Sequence, residues 1–105
     1  MSDDGPTMGD GEEAGGDPIA EAILAQLAAA GPRGSLTPAD IARAFAAGRA
    51  RPGDPPDMWR RYLPQVRQQA LALARQGRIV MLRKGRPVDP ERAKGVIRLA
   101  LPDRR

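Results

Sequence analysis

Three helical segments with strong end signals, followed by two alternating apolar runs joined by a basic loop, predict a mainly α fold with a small antiparallel β-hairpin. Helices first and hairpin last is the order of a winged helix-turn-helix, three helices plus a wing. The third segment, residues 58–77 (MWRRYLPQVRQQALALARQG), is the one the others serve. At helical spacing Leu63, Val66, Ala70, Leu73 and Ala74 share a face that packs, while Gln65, Gln68, Ala72 and Arg75 share the opposite face and stay free.

Composition sets limits on function. A chain of 105 residues has room for one domain, and it contains no run near the ~18 apolar residues of a membrane span. Cysteine and histidine are absent, which removes disulfides, thiol chemistry, zinc fingers and histidine-based acid–base catalysis, so packing alone has to hold the fold. The net charge of +4 conceals a division along the chain. Residues 1–17 hold Asp3, Asp4, Asp10, Glu12, Glu13 and Asp17 and no base, whereas the rest holds all 17 bases against seven acids, a net +10. Such a surface attracts polyanions. Residues 1–16, acidic and glycine-rich without hydrophobic periodicity, are expected to be a disordered tail; 17–101 form the winged-helix domain, and 102–105 a short basic tail. The acidic opening lacks the order of a secretory signal, and a cytoplasmic location is expected.

The first helix is expected from Pro18 to Ala30, with Asp17 as its N-cap and the Gly31-Pro32 pair as its stop. Ile19, Ile23, Leu24 and Leu27 give it one apolar stripe. Leu36 is expected in a short strand, after which Thr37 caps a second helix that begins at Pro38, carries Asp40 in its first turn and ends near Ala47. Ile41, Ala42 and Phe45 lie on its packing side, bracing the third helix. The segment 48–57 (GRARPGDPPD) reads as an exposed loop, and Asp57 as the cap of the third helix. Pro64 removes a backbone donor, so a kink or restart is expected there. Trp59 and Tyr62 are expected in the core. Gly77 ends the helix, residues 78–83 and 96–101 alternate as two strands, and the loop between them (RKGRPVDPERAKG) starts one helical turn at Asp89-Pro90 that Gly95 stops.

Trp59 and Arg60, then Val66, Arg67 and Ala70, then the GRIVMLRKGRPVDP run and KGVIRL, resemble a bacterial family known as domain of unknown function 3253. The resemblance spans nearly all of residues 18–101 and implies a small winged-helix fold; it implies no activity and no catalytic residues. The chain departs from the family pattern at Ala39 and Asp40, where a Ser-Glu pair is usual, and at Val96, where proline is usual.

A polar helix face beside a basic loop suits a duplex, because cations hold phosphates while amides reach base edges. Duplex DNA is therefore the expected partner, with residues 63–76 in the major groove and the wing 83–94 on phosphates. Gln65 and Gln68 are the candidates for base edges, Arg61 and Arg75 for bases or phosphates, and Arg83, Lys84, Arg86, Arg92 and Lys94 for phosphates. The alternative is a protein-interaction module or homodimer with no nucleic-acid role, for which an exposed Leu71 beside Val80 would be the sign. No cofactor or metal is expected. Catalysis is not expected either, since the acids are scattered and Asp40, Asp57 and Asp89 have capping roles.

Overall fold

The computed structural model describes residues 17–102. Three helices, α1 (Pro18–Ala30), α2 (Pro38–Gly48) and α3 (Trp59–Arg75), precede three strands, β1 (Val80–Arg83), β2 (Arg86–Val88) and β3 (Arg98–Ala100). The arrangement is winged-helix-like. The tail expected at 1–16, and all of the one expected at 102–105 except Pro102, lie outside the described residues.

α1 has the predicted bounds. The Asp17 carboxylate accepts from the Ile19 and Ala20 amides at 2.7 and 3.2 Å, and Pro18 fills the position whose amide has no helical partner. For α2 the cap is reciprocal: the Asp40 amide donates to Thr37 Oγ1 and the Thr37 amide to Asp40 Oδ2, each at 3.0 Å. α2 runs one residue past the predicted end, through Gly48.

α3 departs from expectation at its start. Asp57 does not cap it; the helix has no side-chain cap at all. Backbone bonds of 3-10 spacing, Met58 to Pro55, Arg60 to Asp57 and Arg61 to Met58, take up amides there instead. Nor does the helix restart at Pro64, which sits inside one continuous element. Proline withholds its own amide from the Arg60 carbonyl, and burial of Val66, Ala70 and Leu73 against α1 and α2 holds the helix together across that gap. The helix ends as predicted: the Gly77 amide donates to Ala74 and the Arg78 amide to Leu73, a Schellman closure.

The sheet is larger than the predicted hairpin. β1 is shorter than 78–83 and lies in the middle, with β2 on one side and β3 on the other, both antiparallel. β2 falls inside the expected loop, where Lys84 (φ 55°) and Gly85 (φ 80°) make a two-residue turn with both residues left-handed, the geometry that matches strand twist. Asp89 then caps a 3-10 turn, Pro90–Arg92, by accepting from the Glu91 amide. Leu36 adds a single bridge on the far side of β3, exchanging backbone bonds with Leu99 at 2.9 and 2.7 Å.

Ile19, Ile23, Leu27, Ile41, Val66, Leu73, Ile79 and Leu99 form the core, so each helix and the sheet contribute to it. Each such aliphatic side chain contributes about 1.5–3 kcal/mol on burial. Trp59 and Tyr62 are half-buried at its edge, Tyr62 meeting Phe45 edge-to-face with ring centroids 5.0 Å apart. No polar or charged side chain is buried among the described residues.

Candidate nucleic-acid interface

α3 contains Arg60, Arg61, Arg67 and Arg75 and no acid. Arg61, Gln65, Gln68, Ala72 and Arg75 recur at helical spacing along the line opposite the buried Val66 and Leu73. All but the half-buried Ala72 are exposed. The helix is about 26 Å long at 1.5 Å per residue, and a major groove about 12 Å wide admits one.

The predicted wing residues separate into two groups. Arg83, Lys84 and Arg86 cluster at the β1–β2 turn, all exposed, and Arg83 is the direct cross-strand partner of Arg86. Like charges set opposite each other repel, and neither arginine has an acid beside it among the described ion pairs. Arg92 and Lys94, also exposed, lie in the connection from β2 to β3. The guanidinium of Arg83 reaches back toward that connection, 3.9 Å from where a Cβ on Gly95 would stand.

Arg75 joins helix to wing. Its guanidinium makes a bidentate ion pair with Glu91 of the 3-10 turn, Nη2 to Oε1 at 2.9 Å and Nε to Oε2. The hydrogen bond from Arg75 holds the Glu91 carboxyl below its ordinary pKa, and Glu91 raises that of Arg75. Arg75 is thus exposed but already partnered, unlike the other eight predicted residues.

Most carboxylates of the described chain are committed to local structure. Asp17 and Asp40 cap helices, Asp40 also meets Arg43 at 3.7 Å, Asp54 accepts from the Arg51 amide, Asp89 caps the 3-10 turn and Glu91 holds Arg75. The Thr37 amide keeps the Asp40 carboxyl below the usual aspartate range. Among the described residues this leaves the cations of α3 other than Arg75, and those of the β1–β2 turn, without an acid paired to them, as a polyanion-binding surface requires.

Three features escaped the sequence reading. Arg98 donates to the Ser35 hydroxyl at 2.7 Å and to its carbonyl at 2.9 Å, and so braces the α1–α2 linker instead of facing a ligand. Arg43 lies over Trp59 at 4.3 Å and Arg49 over Phe45 at 4.5 Å. Leu71 does not stand exposed beside Val80; it is half-buried and lines an open groove that Val80 does not reach. None of the three had a local signal in the chain; the unexpected strand β2 did, in the Lys84-Gly85 pair between Arg83 and Arg86.

No group of three or more His, Cys, Asp or Glu side chains among the described residues is placed to hold a metal ion, and no described helix is long and apolar enough to cross a membrane.

Three helices, a terminal antiparallel sheet and a basic turn at its tip define a small winged-helix-like domain. The chain belongs to the family described as "Protein of unknown function (DUF3253)", whose model matches residues 16–102. No curated protein matches the chain.

Proposed function

We propose that the chain binds duplex nucleic acid through the outward face of α3 and the β1–β2 wing. The observation that carries this reading is the charge arrangement: α3 holds no acid and is pinned by Arg75–Glu91 to the 3-10 turn after β2, and at the β1–β2 turn Arg83, Lys84 and Arg86 stand together without an acid partner. In this reading α3 enters the major groove, Gln65 and Gln68 meet base edges and Arg61 meets a base or phosphate. Wing cations hold the backbone and set register without reading sequence. A phosphate between Arg83 and Arg86 also relieves their mutual repulsion. Such a role goes with a cytoplasmic location.

The test is fluorescence anisotropy of labelled random-sequence duplex DNA with the full chain at several salt concentrations. Lys84→Glu with Arg86→Glu is expected to weaken every duplex alike and to lower the slope of log affinity against log salt by about two. Gln68→Ala is expected to change preference among sequences more than total affinity. Unchanged binding in both variants overturns the assignment of this face.

A further inference from the structure

A second surface lies along the other edge of α3. An open groove of about 630 Å3 runs between α3 and the connection from β2 to β3, with the start of α2 also lining it. Its floor is apolar, made by Ala70, Leu71, Met81, Ile97 and Leu99. Its charged lining residues are two cations on opposite walls, Arg67 from α3 and Lys94 from the connection, and no acid lines it. Both are exposed, and neither has a hydrogen bond, ion pair or ring contact among the described residues. On the rim stands Val96, 80% exposed, the one large hydrophobic side chain so exposed among the described residues.

We propose that this groove is a docking site for an acidic, apolar segment of a partner protein. Its volume falls within the roughly 300–1,000 Å3 of ligand-binding clefts. Being open, it takes a length of chain laid along it. Large aliphatic or aromatic side chains of that segment cover Leu71 and Ile97 and draw Val96 out of water, which is the gain from burial. Carboxylates to either side meet Arg67 on one wall and Lys94 on the other, so the charge pattern selects an acidic segment over a basic one. A duplex backbone has phosphates for the two cations but nothing for the floor or for Val96, which favours a protein occupant. The proposal does not rest on nucleic-acid binding at the wing, because the floor and Val96 lie outside that surface.

The experiment is selection of phage-displayed random dodecapeptides on the immobilised full-length protein, then anisotropy titration of the synthesised peptides. Titrations use the parent, Arg67→Glu with Lys94→Glu, Val96→Asp, and Lys84→Glu with Arg86→Glu. All the altered side chains are exposed, and thermal melts check that each variant keeps the parent fold. The expected result is that selected peptides combine large apolar residues with Asp or Glu. Both groove variants then weaken them about tenfold or more, while the wing variant leaves them unchanged. Enrichment of no peptide, or of peptides without acids, or affinities that the groove variants do not alter, overturns the proposal. Two other results overturn it by naming a different occupant. One is a synthetic peptide of residues 1–16 binding more tightly than the selected ones. The other is a dimer by light scattering that Val96→Asp dissociates. Displacement of the peptides by random duplex DNA, with duplex affinity insensitive to Val96→Asp, gives the groove to nucleic acid and also overturns it.

Discussion

Arg75 and Glu91 close a bidentate ion pair between the last turn of α3 and the 3-10 turn after β2. Both side chains are more than half exposed, so the pair positions the connection more than it stabilises the fold. It also cancels a cation on the face proposed to meet a duplex. Glu91→Gln is therefore expected to free Arg75, tighten duplex binding several-fold and steepen its salt dependence by about one phosphate contact, with little change in thermal midpoint. Anisotropy titrations of the two proteins side by side measure this, and equal affinities would show that Arg75 faces no phosphate.

Gly34 has no room for a side chain. A Cβ built there stands 2.3 Å from the Ala30 carbonyl oxygen, a backbone atom that cannot step aside. Gly34→Ala should cost about 1–3 kcal/mol in urea unfolding. At Gly48, the last residue of α2, nothing lies within 4 Å of the added carbon, and Gly48→Ala should stabilise by about 0.4–1 kcal/mol. The same substitution thus has opposite signs at two sites.

The cap of α2 carries a pH dependence. Because its pKa in the folded chain is below that in the unfolded chain, the Asp40 carboxylate adds stability at neutral pH. That contribution is lost as pH falls through the folded value. Asp40→Asn should lower the urea midpoint at pH 7, and the gap from the parent should narrow once pH drops below about 4. Thr37→Ala, which removes the hydroxyl that accepts from Asp40, should cost about 1 kcal/mol.

Pro64 is an exposed interior residue of α3 that offers no amide to Arg60. Pro64→Ala restores that bond at the expense of a more flexible unfolded chain, and a net stabilisation of about 1–2 kcal/mol is expected from urea unfolding. A lower midpoint would mean that proline is needed to aim the first turn of the helix.

Helix bounds were legible because their signals are local. Asp17-Pro18, Thr37-Pro38 and Gly77 each act within a few residues, and the buried faces follow from spacing alone. Asp57 misled because an acid at the right position is a cap only if its carboxylate takes up the first amides, and here the Arg60 amide donates to the Asp57 backbone carbonyl in a 3-10 turn instead. β2 was hidden by Pro87 and by the charges around it, which read as loop although an edge strand tolerates both. At the site, exposure of Gln65, Gln68 and the wing cations followed from the pattern. The Arg75–Glu91 pair, 16 residues apart, and the apolar groove did not, since both depend on where the β2–β3 connection lands against α3.

The Leu36–Leu99 bridge, with Arg98 on Ser35 beside it at a separation of 63 residues, ties the first interhelical linker to the last strand. A chain emerging from the ribosome can wind its three helices early, but it cannot seal the core until Leu99 is free. Contacts so distant in sequence are slow to form, and the apolar faces of α1 and α3 stay uncovered in the meantime. The interval before the last strand arrives is when a nascent chain of this protein is most exposed to aggregation and to chaperones.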